Sequence, residues 1–115
     1  MKFNLDDYPI GSKVAMHCPT EEEANKFLAF LEEKCVTWAD GTRLTRRNYY
    51  DDLGEDICYS FTDERNGIRR VKYDSISYYK RHKYTILEFG DFSFGEGEEF
   101  VPNELTAFLI GIMTA

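Results

Sequence analysis

Apolar and polar residues alternate over 12–18, with Val14, Met16 and Cys18 on one side and Lys13, Ala15 and His17 on the other. A period of two predicts a strand. From Thr20 the period lengthens: Ala24, Phe27, Leu28, Leu31 and Cys35 recur at helical spacing, so one face of a helix packs on a sheet. Thr20 is the expected N-cap, and Glu23 three residues on completes a capping box. Glu21, Glu22 and Glu23 crowd the first turn, where the positive end of the helix dipole favours carboxylates. Residues 36–39 read as a further strand, stopped by the turn pair Asp40-Gly41. Alternation returns over 57–62, with Ile57, Tyr59 and Phe61 on one side. Asn66-Gly67 lies between this run and another over 68–73, which predicts a hairpin. A short helix over 75–82 and a closing strand over 84–89 follow.

The segments between these runs lack a period. Residues 1–11 read as an extended arm that closes in a turn at Pro9 to Gly11. Residues 42–56 are highly charged and predict a long exposed loop, a type of segment that is often functional or mobile. Residues 90–102 read as an acidic loop punctuated by glycines, after which Pro102 and Asn103 open a C-terminal helix. That helix, over 105–113, is apolar nearly all round through Leu105, Phe108, Leu109, Ile110, Ile112 and Met113. Such a surface has to be buried, in its own core or against a second copy of the chain. The order predicts one α+β domain over 1–115. Its expected form is a two-layer sandwich, a mostly antiparallel sheet of about five strands with the helices on one face.

Composition narrows this picture. A chain of 115 residues that is 43% hydrophobic and 16% aromatic folds around a single core rather than remaining disordered. Cys18, Cys35 and Cys58 have no paired spacing, so they read as reduced thiols buried as small hydrophobes. The N-terminal MKFNLDDYPIGSK lacks the layout of a secretory signal, and 105–113 is too short to span a bilayer. The expected setting is therefore the cytoplasm, away from membrane. Charge adds more than its total of −7 suggests, because it is unevenly placed. Residues 84–115 hold six carboxylates and no lysine or arginine, whereas 43–83 hold ten basic residues against seven acidic. Faces of opposite sign suit a protein that meets a charged macromolecule.

Three stretches carry a resemblance: VAMHCPTEEEANKFLAFLEE at 14–33, DICYSF at 56–61 and YYKRHKYTILEFGDF at 78–92. Together they resemble small uncharacterised proteins of bacteriophages and prophages of Gram-positive bacteria. In those proteins a strand ending in His-Cys leads into a Thr-Glu-Glu helix. A Cys-Tyr strand, a tyrosine-rich segment and a strand ending near Asp-Phe follow. The resemblance implies a phage accessory protein with this α+β fold, and it brings no catalytic residues with it. Phage proteins of this size and charge include inhibitors of host defence, anti-CRISPR proteins among them, and some of these are acidic mimics of DNA.

The chemistry-bearing residues give no enzyme motif. His17, His82 and the three cysteines lack the close ligand pairs of a zinc site, and no thiol is matched by sequence to an imidazole. Asp51, Asp52, Glu55 and Asp56 lack the pattern of a calcium loop. Gly90, Gly95 and Gly97 sit among acids that would repel a phosphate. The expectation is a non-catalytic protein without metal or cofactor. Its acidic residues Glu21, Glu22, Glu32, Glu33, Asp91, Glu96, Glu98 and Glu99 would meet the basic groove of a host nucleic-acid-handling enzyme, with Tyr49 and Tyr50 as anchors. A second reading uses Arg43, Arg46, Arg47, Arg69 and Arg70, interleaved with tyrosines, to hold nucleic acid directly. A third makes the chain an oligomeric scaffold joined through its C-terminal helix.

Overall fold

The computed structural model describes residues 1–94. The helix expected over 105–113, and the acidic loop beyond Phe94 with Glu96, Glu98 and Glu99, lie outside the described residues. Five strands form one sheet: β1 (Val14–His17), β2 (Thr37–Trp38), β3 (Ile57–Arg65), β4 (Ile68–Ser75) and β5 (Thr85–Glu88), in the order β2-β4-β3-β1-β5. β3 lies antiparallel to both β1 and β4, while β5 runs parallel to β1 and β2 parallel to β4. The sheet is thus mixed, antiparallel at its centre with a parallel pair at each edge. The two parallel pairs join strands far apart in sequence, as parallel pairing requires, and no local pattern announces such a partner.

The β3–β4 hairpin turns at Asn66 and Gly67, whose φ values of 56° and 78° are the left-handed pair of a tight hairpin turn. Helix α1 (Glu21–Glu33) opens with the reciprocal cap: the Glu23 N–H donates to Thr20 Oγ1 at 3.2 Å and the Thr20 N–H to the Glu23 carboxylate at 3.3 Å. Ala24, Phe27, Leu28 and Leu31 bury its inner face against Met16, Tyr59 and Phe61 of the sheet. Each of the larger side chains contributes about 2 kcal/mol by leaving water.

The arm over 1–11 is fastened rather than extended free. Leu5–Asp7 form a 3-10 turn, and Lys2 bridges to Ser93. Phe3 is buried where the arm, α1, β3 and the segment after β5 meet. Its ring lies 5.0 Å from Phe94 and between 5.4 and 5.8 Å from Tyr8, Phe27, Phe30, Phe61 and Phe92.

The opposite face of the sheet is covered too. Ala15 and Cys58, which alternate with Met16 and Tyr59, pack beneath Tyr79 of α3 (Ile76–Arg81). The helices therefore lie on both faces, which explains why Val14, Ala15 and Met16 are all buried although the sequence alternates. Residues 42–56, expected as an exposed loop, carry a 3-10 turn at Leu44–Arg46, the short helix α2 (Tyr50–Leu53) and a second 3-10 turn at Gly54–Asp56. Leu44 is fully buried, and Tyr49, Tyr50 and Leu53 pack on the core. Cys18 and Cys58 are buried thiols as expected, but Cys35 is exposed, beyond the end of α1, with φ at 66°.

Candidate functional site

Two surfaces bring together residues that are distant in sequence. The first is at the end of the molecule where α1 begins, β1 and β5 finish and β3 starts. His17 ties this end together: its Nδ1 lies 2.7 Å from Glu88 Oε1 and its Nε2 lies 2.7 Å from the Glu55 carbonyl. Carboxylates of the segments that meet here act on the buried groups near them. Burial, then Glu23, Cys58 and Glu88, push the Cys18 thiol well above its ordinary pKa. Burial, Glu88 and Asp56 push Cys58 up to about 12, with Lys80 opposing. The Tyr50 hydroxyl is raised by burial and by Glu55, Glu21 and Glu23. Thiols held protonated in this way are poor nucleophiles. Glu21, Glu22, Glu55, Asp56 and Glu88 are exposed, so the carboxylates face solvent as one acidic pole.

The second surface is a groove of about 400 Å³ at the far edge of the sheet, beside β2. Trp38, Ala39 and Val71 form its floor, and Tyr49, Lys72 and Tyr73 its sides. A neighbouring recess of about 260 Å³ shares Trp38, Asp40 and Tyr49 with it and is rimmed by Arg46 and Arg47. Tyr49 is its central feature. Its backbone is left-handed (φ 60°, ψ 12°), a conformation that costs a bulky L-residue about 1–2 kcal/mol. Packing holds it there: Tyr49 stacks on Tyr73 with centroids 4.5 Å apart, meets the Trp38 edge at 4.9 Å, and carries the Arg47 guanidinium at 4.4 Å. The Tyr73 hydroxyl donates to Asp52 Oδ2 at 2.6 Å, and that bond, with burial and the Asp52 charge, raises its pKa to about 12. Trp38 is 4% exposed and its Nε1 has no partner among the described residues, an unusual state for a buried donor.

The expected acidic set is divided by this geometry. Glu21 and Glu22 belong to the acidic pole, but Glu32 and Glu33 lie at the other end of α1, about 18 Å away at 1.5 Å per residue. Glu32 is also engaged within the fold. It accepts from the Thr45 N–H at 2.8 Å and from Arg43 Nη2 at 2.8 Å, which holds its carboxyl down at about 2. Asp91 sits in the 3-10 turn after β5, exposed. Tyr50 is no free anchor, because its hydroxyl donates to the Pro19 carbonyl at 2.6 Å. The basic set divides likewise. Arg43 serves Glu32, Arg69 Nη1 donates to the Phe61 carbonyl at 2.8 Å, and Arg70 Nη1 donates to Thr37 Oγ1 at 2.7 Å. Arg46 and Arg47 are left on the groove.

Sequence reasoning did not assign Trp38 to a site, nor Glu55 and Glu88 to the acidic face, whereas Lys72 and Tyr73 fall within the basic, tyrosine-rich stretch of the nucleic-acid reading. A further signal for the groove was the chain's single tryptophan, placed just before an Asp-Gly turn. Among the described residues no group of three or more His, Cys, Asp or Glu is arranged to hold a metal ion, and no helix is long and apolar enough to cross a membrane. Comparison with family models, with curated proteins and with solved structures finds no match for this chain.

Proposed function

We propose that this chain is a non-catalytic binding protein of phage type that inhibits a nucleic-acid-handling enzyme of a bacterial host, such as a CRISPR effector, by presenting its acidic pole to the enzyme's basic groove. The observation that carries the reading is that the exposed Glu21, Glu22, Glu55, Asp56 and Glu88 come from segments that meet at one end of the fold, where His17 binds both the Glu88 carboxylate and the Glu55 carbonyl. Carboxylates on one rigid end offer the spaced negative charge that a phosphate-binding groove accepts, and they speed encounter by long-range attraction. Burial and raised pKa values of Cys18 and Cys58 favour binding over thiol chemistry.

The test is capture of partners from a bacterial host lysate, with and without nuclease, by the native chain and by a Glu21→Lys, Glu22→Lys, Glu55→Lys variant. Glu21 accepts from Asn48 Nδ2 at 2.9 Å and both Glu21 and Glu22 lie in the first turn of α1, so the variant's fold is checked by circular dichroism, and a Glu55→Lys single variant, which leaves that turn intact, is run beside it. The expected result is a basic enzyme retained after nuclease treatment by the native chain and lost by the variant. Equal capture by both proteins would refute the acidic-pole reading. Loss of every partner on nuclease treatment would favour direct nucleic-acid binding, with Arg46 and Arg47 as its cations. The scaffold reading rests on residues 105–113 and is tested by the solution mass of a chain ending at Pro102.

A further inference from the structure

We propose that the groove beside β2 receives an extended acidic peptide from a partner protein, which adds to the sheet along the exposed part of β4. This goes beyond the acidic-pole reading and does not depend on it.

The argument starts with unequal strand lengths. β4 runs over Ile68–Ser75, but its outer neighbour β2 is only Thr37–Trp38, paired with Arg70 and Val71. The Ala39 N–H still donates to the Val71 carbonyl at 3.1 Å; the chain then turns away, with the Gly41 N–H donating back to the Trp38 carbonyl at 2.8 Å. Backbone groups alternate sides along a strand, so Tyr73 directs its N–H and C=O the same way as Val71. β2 has already left at that point. Among the described residues no backbone group outside the strands bonds to Tyr73. An unpaired donor and acceptor on a sheet edge form a template for another strand.

The groove lies at this place, being lined by Ala39, Val71, Lys72 and Tyr73. Trp38 lines the groove from a buried position, packed under Tyr49 and Tyr73, so a ligand there lies against its ring. Lys72 is the cation of the groove's lining, and Arg46 and Arg47 line the neighbouring recess that shares Trp38 and Tyr49 with it. Arg46 and Lys72 are exposed and make no ion pair among the described residues, and Arg47 stands 3.6 Å from Asp52 on the surface. Asp40 in the lining accepts from the Thr42 N–H at 3.0 Å and the Thr42 hydroxyl at 2.7 Å and stays charged, so the acidic residue of the peptide has to seat away from it, towards Lys72. Cations beside an open backbone pair select an extended strand with an aspartate or glutamate. A base would find less, since Tyr49 has Tyr73 on one face and Arg47 near its ring.

Trp38 is the chain's single tryptophan, so its fluorescence reports on the groove directly. The probe is a library of blocked octapeptides with random flanks and Asp, Glu, Ser or Lys fixed at the centre, titrated against the full chain. Binding is read by tryptophan emission and by hydrogen exchange at the Tyr73 amide. Acidic-centre peptides are expected to shift the emission saturably and to slow Tyr73 exchange at least tenfold. Alternate N-methylation of the peptide backbone, or the exposed double substitution Arg46→Glu, Lys72→Glu, should weaken binding at least tenfold. No acidic peptide giving a shift, or binding that survives N-methylation, overturns the proposal. So does a shift produced by oligodeoxythymidylate and by none of the peptides.

Discussion

At the scale of single residues, the clearest internal commitments belong to Glu32 and Tyr59. Glu32 joins α1 to the Leu44–Arg46 turn through Thr45 and Arg43. Its carboxyl titrates in the fold at about 2, against an ordinary 4.5, so the folded state binds a proton less readily than the unfolded one. The resulting stabilisation is present above pH 4.5 and is lost as the pH falls towards 2. Glu32→Gln is expected to lower the thermal midpoint at pH 7 and to flatten the loss of stability over that acid interval, measured by circular dichroism across pH. Tyr59 is fully buried and donates its hydroxyl to the Asn48 carbonyl at 2.6 Å. Tyr59→Phe leaves that carbonyl without its partner and is expected to cost about 1–2 kcal/mol in denaturant unfolding. At the alkaline end Tyr73 acts in the reverse sense. Its folded pKa of about 12, raised chiefly by Asp52, gives stability that is complete below pH 10 and fades as the pH rises through 12. Asp52→Asn should bring the Tyr73 ultraviolet titration midpoint down towards 10.

At the scale of elements, α1 depends on its first turn. Thr20→Ala removes one half of the capping box and is expected to lower stability by about 1 kcal/mol, read as a shift in the denaturant midpoint with the slope unchanged. This helix and the β3–β4 hairpin were legible in the sequence because each states its period and its boundary locally: Thr20 with Glu23, and Asn66 with Gly67. Residues 42–56 were not. A single leucine, Leu44, anchors the first turn, and of the two tyrosines read as surface anchors Tyr50 is fixed by its bond to the Pro19 carbonyl and Tyr49 by stacking on Tyr73. No periodic pattern records such contacts. The parallel pairings of β1 with β5 and β2 with β4 were equally hidden, since each is chosen by packing rather than by adjacent turns. The groove follows from that second pairing and was therefore beyond sequence reasoning, whereas Arg46 and Arg47 beside it were within reach.

At the scale of the molecule, charge is better balanced in the described fold than in the whole chain. All 14 lysines and arginines, and all but four of the 21 aspartates and glutamates, lie within residues 1–94. Any electrostatic attraction from this region comes from placement: acids gather at the end of the fold that His17 ties together, and arginines border the recess at the β2 edge. Association through the acidic pole is expected to slow by roughly tenfold or more as salt rises from low to physiological strength, while dissociation changes little; stopped-flow mixing with the captured enzyme measures both.

The meeting of Lys2 with Ser93, and of Phe3 with Phe92 and Phe94, also has a kinetic consequence. The core cannot close over its own N-terminal aromatic ring until the chain has been made past residue 94. β1, among the earliest segments synthesised, has to wait for β5 to complete one of its two edges. During synthesis Val14 and Met16 therefore keep one open edge until β5 is made. Topologies dominated by such distant pairings fold in milliseconds to seconds rather than microseconds. Arrested chains ending before β5 should accordingly be digested by protease as readily as an unfolded chain.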